Sequence, residues 1–309
     1  MAARLWRAIL AAAVLSAVLL ATLLARATGL GPAGTALLAL ALLPGLPLLF
    51  VATTAILARA ADDVAAPRPA RLHHALGMLL GESLHLWAAM LRMSARRTRP
   101  GSDGTAATAA PAGARPVLLL HGVLCNAGVW RPLRSRLRAA GLGPVCAVSV
   151  EPLLQDIDAQ AREVAPRLLA LQRRCAGAPV AVVAHSMGGL VARALLRALG
   201  PDPFACIVTI ATPHRGTRLA RLPTHAPALR QMQPDSEWLR ALNAAPAPTP
   251  GVPMACVYSL EDNLLGPATT ARLPAAASFE LRGLGHFGLL GDRRALAAIL
   301  DALARGGNR

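Results

Sequence analysis

The chain of 309 residues is long enough for one large domain or two small ones, and its hydrophobic content of 54% is high for a water-soluble protein. The formal charge of +16 comes from arginine alone, because the sequence contains no lysine, so the charge by itself does not indicate a nucleic-acid partner. The five cysteines are too widely spaced for a zinc-ligand pattern or a dense disulfide framework, which excludes a small disulfide-stabilised fold.

Two long apolar runs stand at the N-terminus, at residues 8–25 and 35–58. Each has about the 20 residues that cross a bilayer, so we expect a transmembrane helical hairpin within residues 1–69, kinked near Pro44 and Pro47. A cleavable signal peptide is the alternative for the first run only. The expected location is a bacterial-type inner membrane. Arginines flank the hairpin at both outer ends, which predicts that both ends, and the domain that follows them, lie in the cytoplasm.

Residues 70–114 are predicted to form an amphipathic helix followed by a linker. In the helix, at residues 70–93, leucines and Trp87 recur at helical spacing on one face, whereas Glu82 lies elsewhere. Two interpretations stay open, because the helix either lies in the membrane interface with Trp87 as an anchor or packs on the following domain. Residues 96–113 are rich in Arg, Gly, Ser, Thr, Ala and Pro without periodicity, which is typical of a linker.

From residue 115 to residue 309, short apolar runs alternate with helical patterns. This alternation is typical of a mostly parallel, doubly wound α/β sheet. Residues 218–250 interrupt it with Pro, Met, Trp and Leu and are predicted to form a short cap. The predicted strands are 117–120, 145–150, 180–183, 206–211, 254–259 and 278–282, and the predicted helices are 130–140, 157–175 with a break or bend at Pro166, one that starts at Leu190, and 290–304.

The sequence VAVVAHSMGGLVAR, at residues 180–193, puts Ser186 between a strand and a helix. The chain must turn sharply there, which requires small residues on both sides of the serine, and Ala184 and Gly188 meet that need. Such a turn exposes the serine hydroxyl, while the start of the following helix offers backbone N–H groups to a developing oxyanion. The stretch resembles the nucleophile turn of the α/β-hydrolase family. AHSMGG is similar to the turn of small bacterial lipases, several of which have alanine where most hydrolases have glycine.

The resemblance to bacterial triacylglycerol lipases and esterases covers about residues 115–309 and implies a Ser-His-Asp triad. In the family the acid and then the histidine follow the serine along the chain. Asp262 follows the predicted strand 254–259, and His286 lies in GLGHFGLL before the last helix, so they are the expected acid and base for Ser186. Glu261 is the neighbouring alternative to Asp262.

The oxyanion hole is expected to use two backbone N–H groups. One belongs to Met187, the residue after the nucleophile. The stretch HGVLCNAGVW resembles the corresponding lipase loop, which implies Val123 for the second donor, with Leu124 as the alternative. Three further histidines are not expected to act as the base. The resemblance implies that His121 supports this loop and that His214 shapes the wall of the active site. His185, which precedes the nucleophile, is expected to be a packed or supporting group.

We therefore expect a membrane-anchored serine hydrolase that cleaves carboxylic esters, with lipid-like acyl esters as substrates, through an acyl-enzyme. The expected partners are the bilayer and the ester. No cofactor, metal ion or nucleic acid is expected, because the sequence has no phosphate-binding loop, metal-ligand cluster or basic strip with interleaved aromatics. Acyl transfer and thioester hydrolysis use the same machinery and stay open, as does a non-catalytic membrane or binding protein.

Overall fold

A computed structural model of the protein describes residues 1–60, 72–95, 113, 115–221, 225–244, 251–274 and 276–306. From residue 115 onward the described chain is built on one sheet. Its strands are β1 Val117–Leu120, β2 Val145–Val148, β3 Val180–His185, β4 Phe204–Ile210, β5 Met254–Ser259 and β6 Ala277–Leu281. Neighbouring strands pair in parallel in the order β2-β1-β3-β4-β5-β6, which confirms the predicted α/β class.

The strands are continuous apolar runs because both faces of a parallel sheet are covered by other parts of the chain. Every residue of β1, β2 and β5 is buried. Three of the five cysteines, Cys146, Cys206 and Cys256, are free and buried within strands, where they act as small apolar side chains. Strand β1 lies between β2 and β3, so the direction of winding reverses there. A crevice therefore opens at the carboxyl ends of β1 and β3.

Four helices precede the sheet: α1 Ala2–Thr28, α2 Pro32–Leu42, α3 Gly45–Ala60 and α4 Leu72–Ala95. By length and composition, α1 and the stretch formed by α2 and α3 are each able to cross a membrane. A turn at residues 43–44 separates α2 from α3 where Pro44 lacks a backbone donor, which confirms the predicted kink. The predicted linker at residues 96–113 lies outside the described residues, apart from Gly113.

Helix α4 packs on the sheet-containing part of the chain through a face that is not its leucine-rich one. Leu86, Met90 and Met93 are buried in the common core. The side-chain amide of Asn126 donates to the Met93 carbonyl at 3.0 Å, so the end of α4 is fixed to the loop after β1. The leucine face remains exposed and consists of Leu76, Leu80, Leu84 and Leu91. Of the two interpretations that the sequence left open for α4, the structure shows packing on the following domain, with the leucine face exposed.

Six helices accompany the sheet: α5 Arg131–Ala139, α6 Ile157–Arg174, α7 Met187–Leu199, α8 Pro227–Gln231, α9 Glu237–Ala244 and α10 Arg293–Gly306. Helix α6 continues through Pro166, so of the two predicted alternatives, a break or a bend, the break is wrong. Val164 and Leu168 on either side of the proline are fully buried, and this packing outweighs the lost hydrogen bond. The described part of the predicted cap consists of a short 3-10 turn at Arg218–Arg221 and residues 225–244, which include α8 and α9. Residues 222–224 and 245–250 of the cap lie outside the described residues.

Candidate active site

The loops that follow four of the strands meet at one edge of the sheet. His121 follows β1, Ser186 follows β3, Asp262 lies beyond β5 and His286 beyond β6. Because the strands are parallel, their carboxyl ends share an edge, and residues far apart in sequence come together there. Ser186 and His286 line the same cavity, whose volume is about 240 Å³.

Ser186 has a backbone conformation that a non-glycine residue rarely adopts, with φ of 56° and ψ of −130°. Such a conformation costs about 1–3 kcal/mol and persists only where the surroundings enforce it. Here the Ser186 N–H donates to the Ile210 carbonyl at 2.8 Å, and α7 begins at the next residue, Met187. Because the first N–H groups of a helix have no acceptor within the helix, the Met187 N–H is available at the turn.

Two glycines let neighbouring backbone segments come close to Ser186. A Cβ atom on Gly122 would lie 2.7 Å from the Ser186 Cβ, and one on Gly188 would lie 2.6 Å from the His121 carbonyl oxygen. Both distances are shorter than any real Cβ contact, so the positions require glycine. Sequence spacing identified Gly188, whereas Gly122 was signalled only by the dipeptide that it forms with His121.

The imidazole of His286 is bonded to the carboxylate of Asp262. Nδ1 lies 2.8 Å from Oδ2 and 3.0 Å from Oδ1, and both side chains are buried. Oδ1 also accepts the N–H groups of Leu264 and Leu265, which fixes the orientation of the carboxylate. Glu261 points elsewhere, to the Ser259 hydroxyl and the Gly283 N–H. The structure therefore brings Asp262 rather than Glu261 to His286.

Electrostatics raise the pKa of His286 above its ordinary value. Burial by itself disfavours the charged ring, but the attraction and the hydrogen bond from Asp262, together with the nearby Glu82, more than offset it. With Nδ1 bonded to Asp262, the proton acceptor of the neutral ring is Nε2. His286 is thereby a better base than a free imidazole.

The loop after β1 carries the candidate oxyanion donor. Val123 lines the cavity in the turn that follows Gly122. His121 braces this loop, because its Nδ1 lies 2.9 Å from the Gly122 carbonyl while its Nε2 accepts the Val150 N–H at 3.1 Å. Leu124, the alternative donor, is the next residue and has a φ of 57°. The arrangement agrees with the supporting role expected for His121.

Each of the other two histidines uses its Nε2 atom in a hydrogen bond, whereas its Nδ1 atom is buried without a partner among the described residues. Nε2 of His185 lies 3.3 Å from the His286 carbonyl, and Nε2 of His214 lies 3.1 Å from the Thr209 hydroxyl. Burial holds the pKa of His185 and the pKa of His214 well below the usual value, so both rings are neutral. Within the described ranges, no three His, Cys, Asp or Glu side chains converge as a metal site.

One wall of the cavity comes from the N-terminal helices, which sequence reasoning did not anticipate. Trp6 of α1, Phe50 of α3 and Leu86 of α4 face the same space as Ser186 and His286. The Trp6 indole N–H also donates to the Leu124 carbonyl at 2.7 Å, which ties α1 to the loop after β1. The cap supplies a further apolar side of the cavity through Leu219, Ala220, Leu229 and Met232.

A buried acid from α4 reaches the loop that carries His286. The Glu82 carboxylate accepts the Phe287 N–H at 2.7 Å and the Gly288 N–H at 2.8 Å. Burial raises the pKa of Glu82 to about 7, although the two N–H bonds and the charge of His286 act in the opposite direction. Glu82 is the one acid of α4, and this was the sequence signal that could have identified it.

Exchanging Asp262 for asparagine tests the electrostatic part of this site. The Asp262→Asn variant loses the negative charge that outweighs burial, so we expect the pKa of His286 to fall. The ring must be neutral to accept a proton. In any reaction that uses His286 as the base, the acidic limb of the pH–rate profile therefore moves to lower pH. An NMR titration of the His286 imidazole measures the shift directly. The matched control is Glu261→Gln, which should leave the His286 titration unchanged; equal titrations in both variants would contradict the assignment of Asp262.

Comparisons with known proteins identify the fold. A family model described as the PGAP1-like alpha/beta domain matches residues 166–233, which include Ser186. The structure is similar to Aspergillus fumigatus lipase B, with a TM-score of 0.56 and 23% sequence identity over 66% of this chain and 55% of that lipase. It is also similar to the mature form of Bacillus licheniformis lipase BlEst2, with a TM-score of 0.54 and 16% identity over 64% of this chain and 94% of the other. None of the curated protein sequences compared with the chain matches it.

These likenesses establish the α/β-hydrolase fold and confirm the resemblance to lipases and esterases expected from the turn at Ser186. The chain spans about half the length of Aspergillus fumigatus lipase B, the first of these structures.

Proposed function

We propose that this protein with an α/β-hydrolase fold is a membrane-anchored serine hydrolase that cleaves lipid-like carboxylic esters. The observation that carries the proposal is the buried Asp262–His286 pair, joined at 2.8 Å, whose histidine lines the same apolar cavity as the strained Ser186. A nucleophile, a base and a group that orients the base are the three parts that acyl transfer through a serine requires.

In the proposed mechanism Ser186 Oγ attacks the ester carbonyl carbon while Nε2 of His286 accepts the hydroxyl proton. Asp262 keeps the ring in the correct tautomer and stabilises the imidazolium. The N–H groups of Met187 and Val123 donate to the developing oxyanion. As the tetrahedral intermediate collapses, the imidazolium gives its proton to the leaving alcohol. A water molecule, deprotonated by His286, then attacks the acyl-enzyme and releases the acid and Ser186.

The lining of the cavity supports an acyl chain as the group that occupies it. Its walls are dominated by aliphatic and aromatic side chains from the cap and from α1, α3 and α4. An apolar wall gains roughly 0.8 kcal/mol for each CH₂ group that it removes from water, so longer acyl chains bind more tightly until the cavity is filled. Short, polar esters do not gain from such a surface.

The packing of α1 supports a bilayer around the hairpin. Its buried residues include Ala13, Ala17, Ala21 and Ala25, which recur every fourth position and let neighbouring helices approach closely. Its larger side chains, such as Leu15, point outward and are exposed. In a helix surrounded by lipid, small residues face the neighbouring helices and large apolar residues face the lipid, as they do in α1. Among the described residues, the large apolar side chains that are exposed lie within residues 1–91, except for Leu124.

Both ends of the hairpin contact the sheet-containing part of the chain. Trp6 near the start of α1 is bonded to the Leu124 carbonyl, and Thr54 of α3 accepts a hydrogen bond from the Asn263 amide at 2.8 Å. These contacts support a hairpin that is retained rather than cleaved as a signal peptide. They also favour one side of the membrane for both ends and for the hydrolase domain, and the flanking arginines favour the cytoplasmic side.

The Ser186→Ala variant tests the nucleophile. We expect hydrolysis of p-nitrophenyl esters by the detergent-solubilised protein to fall by about 10⁴–10⁶-fold, because no other group replaces the serine oxygen. Labelling by a fluorophosphonate should be abolished. The control is Ser135→Ala, which changes an exposed serine of α5 whose hydroxyl bonds only to the Pro132 carbonyl. Retained hydrolysis in Ser186→Ala would refute the mechanism, and a labelled wild type that hydrolyses no ester would favour the acyl-transfer alternative.

The Phe50→Ala variant tests whether α3 forms part of the acyl site. The loss of this ring should lower kcat/KM for long-chain esters by about 10-fold and leave the acetyl ester unaffected, because only a long chain reaches the wall. Leu46→Ala is the matched control, since Leu46 lies one turn earlier on the same helix and is as exposed as Phe50, but it does not line the cavity. A uniform loss across all chain lengths would contradict a role for Phe50 in chain recognition.

Reporter fusions test the proposed orientation. A reporter that is active only in the periplasm should stay silent when fused after Arg309 and become active when inserted at residues 29–31, between α1 and α2. The two fusions share the same hairpin, so each serves as the control for the other. The opposite pattern would place the hydrolase domain on the periplasmic side.

A further inference from the structure

One buried acid at the active site has no part in the proposed mechanism. We propose that Glu82 is a positioning residue, whose carboxylate, supplied by α4, holds the backbone of the loop that carries His286. The inference rests on the proposed function in one respect, because it takes His286 as the base. It assigns to the N-terminal segment a role in the geometry of the site as well as in attachment to the membrane.

The Glu82 carboxylate bonds to two consecutive peptide N–H groups, and we call this pair of hydrogen bonds the clamp. One carboxylate oxygen accepts the Phe287 N–H at 2.7 Å and the other accepts the Gly288 N–H at 2.8 Å. At a pH above about 7 the Glu82 carboxyl is ionised. Hydrogen bonds to an ionised acceptor are about twice as strong as those between neutral groups, and two parallel bonds also fix orientation. Since these are the two peptide groups that directly follow His286, the clamp limits rotation of the backbone from which the imidazole projects.

The loop is shaped to receive the carboxylate. Glu82 is 2% exposed, and a Cβ atom on Gly285 would overlap its carboxyl group. The glycine before His286 therefore makes room for the acid. The residue next to the candidate base is glycine because a side chain there would occupy the space that the Glu82 carboxyl fills.

A second connection joins the same loop to α3. The His286 N–H donates to the Asn263 Oδ1 at 3.1 Å, and the Asn263 amide donates to the Thr54 hydroxyl at 2.8 Å. The Thr54 hydroxyl in turn bonds to the Phe50 carbonyl within its own helix. Three consecutive N–H groups, beginning with that of His286, are thus held directly or through Asn263 by the N-terminal helices.

Packing alone does not account for an acid at this position. A buried carboxylate is costly, and a well-packed apolar side chain of similar volume is often more stable in its place. The charged groups that act on the Glu82 carboxyl are His286 and Asp262 from the neighbouring loops, and His85 lies one turn further along α4. The negative charge also favours the protonated form of His286. Glu82 thus has two effects on His286: its hydrogen bonds hold the loop in place, and its negative charge favours proton acceptance by the ring.

The test compares Glu82→Gln with wild type in the detergent-solubilised full chain. Glutamine keeps the shape of the side chain, but its NH₂ group faces one of the two N–H donors, so one bond is lost. We expect the rate of fluorophosphonate labelling at Ser186 to fall by about 10–100-fold, because a displacement of about 1 Å in a reacting group can cost about 10²-fold. The pH at which the labelling rate is half-maximal should also fall, since a negative neighbour of His286 has been removed.

Ser83→Ala is the matched control. Ser83 is the next residue, is also buried, and bonds only to the Leu79 carbonyl of its own helix. In the Ser83→Ala variant, Ser186 should be labelled at the wild-type rate. Thermal unfolding of each variant gives the folded fraction by which the rates are corrected. A Glu82→Gln protein that unfolds at lower temperature, but whose folded fraction is labelled at the wild-type rate, would overturn the proposal in favour of packing alone.

Amide hydrogen exchange separates this proposal from the proposed function. Exchange at Phe287 and Gly288 should be faster in Glu82→Gln than in Ser83→Ala, because the clamp protects these two N–H groups. If wild type is not labelled at all, the proposed hydrolase function fails, and the exchange rates still decide whether Glu82 holds the loop. Equal exchange in the two variants would overturn the clamp whatever the activity.

Discussion

The close approach of two backbone segments beside Ser186 is the constraint on which the rest of the structure depends. Adjacent parallel strands lie about 4.8 Å apart, so the turns that leave β1 and β3 have no room for side chains between them. Glycine at 122 and at 188 meets this limit. The strained conformation of Ser186 is then maintained by the buried sheet and by its bond to Ile210, and the loops that carry Asp262 and His286 are placed at the same edge by parallel pairing.

The features that the sequence predicted well are those that depend on local pattern and chain order. Apolar runs marked the strands because a parallel sheet is covered on both faces, and β1 and β5 have the predicted bounds. The order of Ser186, Asp262 and His286 followed from the resemblance to lipases. The choice between Glu261 and Asp262 depends on a turn in which Leu264 and Leu265 donate to one carboxylate, and adjacent acids do not reveal that turn in advance.

The features that the sequence did not predict arise from contacts between residues that are distant in the chain. Leucine spacing on α4 identified its apolar face, but in the structure this face is the one left exposed. The packing face instead contains Glu82, Leu86 and Met93. The wall formed by Trp6 and Phe50 was missed for the same reason, because hydropathy assigns these residues to lipid and gives no sign that they also border a cavity.

The bond between Glu82 and the Phe287 N–H joins residues that are 205 positions apart, and this separation sets the order in which the site is made. During synthesis the N-terminal helices leave the ribosome first, whereas β6, the His286 loop and α10 leave it near the end. A nascent chain whose first helices are already in place therefore has neither the proposed base nor the partners of Glu82. For a protein proposed to act on the lipids that surround it, biosynthetic order itself delays activity until the chain is complete and folded.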